Sequence, residues 1–177
     1  MRIVAQPFEG IMVLEPDRFT DSRGFFLESF EKERYRKLGI TEDFVQDNHS
    51  RSMKDVLRGL HFTKHKPQSQ IVTIIRGRVF DVVVDIRKGS PTFGKWHGVE
   101  LSDEGPRQIY MAHGFAHGFC VLSEHADLHY KVSQAYDRSD DGGLGWNDSD
   151  IGIVWPVCKP VISDRDRSHP PFRDICL

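Results

Sequence analysis

The chain has 177 residues, 38% of them hydrophobic and 28% charged, with a formal net charge of -2. A length of this order folds as one domain that buries most of its apolar surface. Charge this evenly balanced and scattered argues against a nucleic-acid polymer as partner, while one small anionic ligand needs only a few placed cations.

Cys120, Cys158 and Cys176 are odd in number and share no CxxC spacing, which fits a reducing compartment and gives no zinc ribbon. The opening MRIVAQPFEG lacks an apolar leader core, and no run approaches the ~18 residues of a membrane span. A soluble cytoplasmic protein with no membrane partner is expected.

No repeat, low-complexity tract or linker divides 1–177, so a single domain is expected. The first strand is expected over 11–15, closed by Pro16, and a second over 24–30. The one good helical stretch, 31–38, is short and polar and ends near Gly39. Strands resume at 71–75 and 79–87; in the latter Phe80, Val82, Val84 and Ile86 make an apolar face, with Asp81 and Asp85 on the other. Further strands are expected over 99–101, 108–111, 119–122 and 126–132. Roughly eight to ten strands, with turn signals about every ten residues, favour a sandwich or barrel over any βαβ fold. From about Ala135 the chain turns rich in Asp and Gly, and Trp155-Pro156 and Pro170-Pro171 cannot sit inside regular elements. A largely irregular C-terminal region should therefore wrap the β core, with one short helix near 163–168.

Two neighbouring segments carry chemistry out of proportion to a strand's needs: FVQDNHSR (44–51) and VLRGLHF (56–62). They bring the amides of Gln46 and Asn48 close in sequence to Arg58 and His61, three apart across a glycine. An imidazole near a strand is often just a hydrogen-bonded core or surface residue. It is also the side chain best suited to general-base work near neutral pH, and a neighbouring arginine suits an anionic substrate. Tyr130 shares a strand face with Ala126, Leu128 and Val132, while Asp127, His129 and Lys131 face the other way. In isolation a satisfied core phenol is the better reading; inside a barrel cavity the same hydroxyl could deliver a proton. His117 shares parity with Phe115, Phe119 and Val121 and is expected to point inward. His113 and His117 have metal-ligand spacing only on a helix, which the glycine and aromatic alternation opposes. Arg23 is a turn residue, and Arg165 and Asp166 lie in a charged run with nothing local to mark them. No GxGxxG, P-loop, GxSxG or HExxH occurs.

Taken together, DSRGFFLESF (21–30), FVQDNHS (44–50), VLRGLHF (56–62), VFDVVVDIRKGSPTFGKW (79–96), GFAHGF (114–119), LHYK (128–131) and IVWP (153–156) resemble the dTDP-4-dehydrorhamnose 3,5-epimerase family of nucleotide-sugar enzymes. The blocks run in family order over most of the chain. The resemblance implies an all-β fold, a cupin-like jelly-roll barrel, in a homodimer with N-terminal strand exchange and without metal or cofactor. It implies a nucleotide-diphospho-4-keto-6-deoxyhexose as substrate, whose 4-keto group acidifies the protons on C3 and C5. On that likeness His61 is the base, Asp166 the carboxylate that orients it and Tyr130 the acid. Tyr136 is a second active-site tyrosine and His117 a sugar contact. Arg23, Arg58 and Arg165 match diphosphate contacts, and Phe26, Glu28, Gln46 and Asn48 match nucleoside or phosphate contacts, some reached across the dimer.

Two positions depart from the family pattern. Ser69-Gln70 stands where members carry glycine and an active-site lysine, and Ala112-His113 where Pro-Glu is common. Lys64 and Lys66 lie close in sequence to Gln70 and could supply a cation. The departures keep open a mono-epimerase acting at C3 or C5 alone, on a dTDP- or a CDP-sugar, and a weakly catalytic sugar-nucleotide binding protein. A metal-dependent cupin using His61, His113 and His117 is a third reading.

Overall fold

The computed structural model describes residues 1–175; Cys176 lies outside the described residues. In chain order the elements are β1 (Arg2–Ala5), β2 (Ile11–Glu15), β3 (Arg18–Asp21), β4 (Gly24–Leu27), α1 (Lys32–Lys37), β5 (Gln46–Met53), β6 (Leu57–Thr63), β7 (Gln70–Arg76) and β8 (Arg78–Asp85). They continue with β9 (Trp96–Ser102), β10 (Gln108–Met111), β11 (Phe115–Val121), β12 (His125–Val132), β13 (Asp141–Gly143), α2 (Asp164–Arg167) and a 3₁₀ turn at Phe172–Asp174. Among the described residues no helix is long and apolar enough to cross a membrane.

Two antiparallel sheets face each other, one ordered β1-β2-β10-β7-β12-β5 and the other β13-β6-β11-β8-β9. This is the cupin-like jelly roll that the family resemblance implies. Between the sheets lies a core of Ile11, Val72, Ile74 and Leu128 from the first and Val79, Val83, Phe119 and Val121 from the second. β3 and β4 form a separate two-stranded hairpin.

Each sheet is also covered on its outer face. Tyr35 of α1 and Ile40 pack on Leu14, Ile71 and Tyr110 of the first sheet. Leu144, Ile151, Trp155 and Phe172, from the C-terminal region, pack on or against Leu60, Phe62, Val82 and Val84 of the second. On β8 the Phe80/Val82/Val84 face is apolar as expected and lies under the C-terminal layer, while Asp81 and Asp85 on the other face are fully buried. Asp85 is satisfied there by the Arg87 guanidinium, by Ser90 Oγ at 2.6 Å and by Thr92 Oγ1. Asp127 on β12 is also buried, clamped by Arg51 through two bonds of 2.7 Å.

Several boundaries also shift. The expected strand over 24–30 stops at Leu27, and the one expected over 119–122 already begins at Phe115. β1, β3 and β13 have no counterpart in the sequence reading. β13 lies in the supposedly irregular C-terminal region, pairing Asp141, Gly142 and Gly143 with Thr63, Phe62 and His61. The rest of that region wraps the second sheet as expected, and α2 falls within 163–168.

Candidate active site

A cavity of about 460 Å³ opens between the two sheets. The first sheet contributes the even-numbered face of β5 (Gln46, Asn48, Ser50), Gln70 of β7, and Leu128, Tyr130 and Val132 of β12. Period-2 alternation along a strand puts these side chains on one surface, and Tyr130 lies directly opposite Asn48 in the ladder. The second sheet contributes Arg58 and His61 from β6 and His117 and Phe119 from β11.

Arg58 and His61 are three residues apart, so a regular strand would send them to opposite faces. Their pairing with β11 shows why both reach the cavity. His61 pairs with His117 and Arg58 with Phe119, so β6 spends one more residue than β11 over the same span. This is a bulge, which re-aims the side chains beside it. Gly59 makes the bulge feasible: its φ is +119°, and a Cβ there would meet Gly118 Cα at 2.6 Å.

The bulge also presents the Gly59 N–H to Asp166 Oδ2 at 3.0 Å, while Asp166 Oδ1 lies 2.9 Å from His61 Nε2. Asp166 arrives from the far end of the sequence. Val161 bridges to Val56 beside β6, with Leu57 N–H donating to Val161 O at 2.9 Å. Ser163 then caps α2 by accepting the Asp166 N–H at 3.1 Å, a side-chain oxygen satisfying a free first-turn donor. The helix thereby turns one carboxylate of a charged run inward, and Asp166 is buried. Burial alone would raise its pKa, but the bonds from His61 and the Gly59 N–H outweigh it and hold the carboxyl at about 2. An ionised Asp166 only accepts, so His61 Nε2 carries the proton and Nδ1 is left as the basic nitrogen.

Tyr130 stands on the opposite sheet. Burial pushes its phenol pKa up, against a smaller pull downward from Arg58, so the hydroxyl stays protonated at neutral pH. His117 has its own carboxylate, with Nε2 2.9 Å from Oδ2 of fully buried Asp81. At the mouth, Tyr136 hydroxyl donates to Asp141 Oδ2 at 3.1 Å and Arg165 donates to the same oxygen at 2.5 Å. The Gln46 amide donates to Asn48 Oδ1 at 2.8 Å and accepts the Tyr136 N–H at 3.0 Å. Gln70 donates to Gln68 Oε1 at 3.1 Å.

Of the residues singled out from sequence, Gln46, Asn48, Arg58, His61, Gln70, His117, Tyr130, Tyr136 and Arg165 line the cavity, and Asp166 stands behind His61. Arg23, Phe26 and Glu28 are not brought there within one chain. Arg23 pairs with Asp21 on the β3–β4 turn, Phe26 on β4 is 68% exposed, and Glu28 pairs with Arg34 at 3.1 Å. Lys64 and Lys66 do not line the cavity either, and Lys66 is tied to Asp137 at 2.5 Å. The cavity's cations among the described residues are Arg58 and Arg165. His113 lies outside the lining, so the three-histidine set His61, His113 and His117 is not assembled.

Sequence reasoning missed Asp81 and Asp141. Asp81 was legible once His117 was expected to point inward, because a buried imidazole calls for a partner. Asp141, in an Asp/Gly-rich stretch, carried no such signal.

The fold and cavity fit a class: a jelly-roll enzyme whose cavity suits proton transfer, with a carboxylate-bonded imidazole on one wall, a protonated phenol on the other, and two arginines whose charge suits an anionic group. The family model for dTDP-4-dehydrorhamnose 3,5-epimerase matches residues 5–174. The dTDP-4-dehydrorhamnose 3,5-epimerase of Methanothermobacter thermautotrophicus is 45% identical, over 98% of this chain and 95% of its own length. The crystal structure of a dTDP-6-deoxy-D-glucose-3,5-epimerase from Legionella pneumophila, in complex with dTDP-4-keto-L-rhamnose, superposes with a TM-score of 0.95 at 45% identity, covering 98% of this chain and 94% of that one. A dTDP-4-dehydrorhamnose 3-epimerase from Streptomyces niveus is 40% identical, over 94% of this chain and 82% of its own length. The chain belongs to the dTDP-4-dehydrorhamnose 3,5-epimerase family, and is an isomerase.

Proposed function

We propose that the protein inverts C3 and C5 of a nucleotide-diphospho-4-keto-6-deoxyhexose, with dTDP-4-keto-6-deoxyglucose as the first substrate to test. The observation that carries this reading is the placement of the His61–Asp166 pair and Tyr130 on opposing sheets of one cavity. Epimerisation needs a proton removed from one face of a carbon and another returned to the opposite face. His61 Nδ1 takes the proton α to the keto group, Asp166 stabilises the imidazolium that results, and the electron pair moves onto the keto oxygen as an enolate. Tyr130 returns a proton from the other wall. Each such group typically contributes ~10²–10⁴ in rate. Arg58 and Arg165 offer guanidinium forks to the diphosphate, with Gln46 and Asn48 on the wall beside Tyr130. The test is to incubate the enzyme with this substrate in deuterated water and follow H3 and H5 by NMR. Loss of both signals with formation of the inverted sugar supports the reading, and binding without exchange contradicts it.

A second reading is favoured by Gln70. A neutral amide in a dry cavity stabilises an enolate oxygen less well than a cation, so inversion at one carbon alone, on a dTDP- or CDP-sugar, is the alternative; exchange confined to H3 or to H5 selects it.

A homodimer completes the proposal. The β3–β4 hairpin exposes Phe19, Phe25 and Phe26 at 65%, 54% and 68%, beside Arg23. A second copy would bury these rings and let Arg23, Phe26 and Glu28 serve its cavity. We further propose that 1–177 works as one domain in the cytoplasm, in keeping with free Cys120 and Cys158.

A further inference from the structure

His169, on the segment after α2, has no part in the chemistry above, yet its ring stands edge-on to His61. The centroids are 5.4 Å apart and the planes meet at 87°. It fits there because the ladder partner of His61 on β13 is a glycine: a Cβ on Gly143 would lie 2.3 Å from His169 Cε1. His169 Nδ1 is buried and has no hydrogen-bond partner among the described residues. One ligand atom from each of His61, Asp166 and His169 lies within 4.8 Å of the others.

We propose that His61, Asp166 and His169 form a binding site for a divalent transition ion of the zinc class, and that its occupation switches the enzyme off. Two imidazoles and a carboxylate are a donor set zinc favours, whereas calcium and magnesium call for oxygen ligands. Bond lengths of about 2.0–2.2 Å put tetrahedral ligand atoms about 3.3 Å apart, so side-chain rotation of the order of an ångström closes the set. The ion takes the place of the proton that His61 Nε2 donates to Asp166. The displaced proton moves to His61 Nδ1, so a neutral imidazole binds the ion without net proton release, water fills the fourth position, and nothing is oxidised or reduced. A metal-bound His61, with Nδ1 now protonated, no longer takes a proton from carbon. The binding half follows from the cluster's geometry, while the inhibitory half rests on His61 being the base, so the two are measured separately.

The test titrates the purified full chain with Zn²⁺, and with Co²⁺ as a spectroscopic stand-in, alongside His169→Gln, His169→Asn and His49→Gln. His49 is a control because it pairs with Asp127 outside the cavity, at 3.3 Å. Expected are one ion per chain, tetrahedral Co²⁺ absorption, and a loss of solvent exchange that a chelator reverses. Both His169 variants should weaken ion binding and inhibition tenfold or more, and His49→Gln neither. Zinc binding undiminished in both folded His169 variants, or no stoichiometric binding by the wild type, overturns the site. His169-dependent binding with exchange undiminished overturns the inhibitory role and, with it, His61 as the base.

Discussion

His61 and His117 are ladder partners on β6 and β11, and each imidazole sets its Nε2 2.9 Å from a different buried aspartate, Asp166 and Asp81. Two imidazoles thus stand side by side in one cavity with separate carboxylates fixing their orientation. Asp166 comes from α2 and Asp81 from the barrel's own β8. The bulge at Gly59 gives His61 a place beside Arg58 on the cavity wall, so the β6 wall carries both the proposed base and the cation proposed for the diphosphate.

Asp166→Asn should separate orientation from binding. An amide can donate to His61 Nε2 and favour the wrong tautomer. We expect kcat to fall by about 10²–10⁴ with KM changed by less than about threefold. Steady-state kinetics decide it, and a kcat within tenfold of wild type argues against a base oriented by Asp166.

Tyr130→Phe should uncouple removal of the proton from its return. His61 is intact in this variant, so deuterium still enters at the α-carbons from the face where it left. Inverted product should form about 10²-fold or more slowly. NMR follows both in one sample; inversion at the wild-type rate would exclude Tyr130 as the acid.

Phe26→Asp should dissociate the proposed homodimer without unfolding the chain, because the ring is 68% exposed and surface substitutions typically cost about 0.5 kcal/mol or less. Sedimentation should report a monomer with an unchanged unfolding transition and weaker substrate affinity. A stable dimer with unaltered affinity would remove the hairpin from the interface.

Acid should weaken the fold through Asp166 and Asp85. At Asp85, burial would raise the pKa, but bonds from Arg87, Ser90 and Thr92 hold it at about 2, the value Asp166 also has. Both lie below the ordinary unfolded value of about 3.9. Folded values depressed in this way give stability that is present in full above about pH 4 and lost as pH falls through about 2. Each group contributes of the order of 2 kcal/mol. Urea unfolding across that window should show the loss, and Asp85→Asn should flatten its pH dependence; an unchanged slope contradicts the assignment.

How much of this the sequence disclosed depended on what each segment faces. The strands over 11–15 and 108–111 match β2 and β10 residue for residue, because short apolar runs bounded by turn residues have little else to be. β1 and β3 are mostly or wholly exposed, leaving no alternation to read, and β13 is Asp-Gly-Gly. Asp81 and Asp85 share a face of β8 with Val79 and Val83, and that face is buried against a second sheet far away in sequence. Arg58 and His61 stood out by chemistry and spacing, whereas Tyr130 read in isolation as a core phenol and gained its acid role through likeness to a family. Asp166, inside SDRDR, gained a role only through likeness to a family, because what turns it inward is the Ser163 cap and the Val56–Val161 bridge. Arg23, Phe26 and Glu28 lie outside the cavity of their own chain, and their expected role rests on a second copy.

The central claim is that His61 removes the proton α to the keto group. His61→Ala, incubated with dTDP-4-keto-6-deoxyglucose in deuterated water and followed by NMR at H3 and H5, tests it most directly. The account predicts exchange reduced by at least about 10²-fold at each carbon that the wild type exchanges, with the nucleotide sugar still bound through Arg58 and Arg165. Exchange at close to the wild-type rate would contradict it.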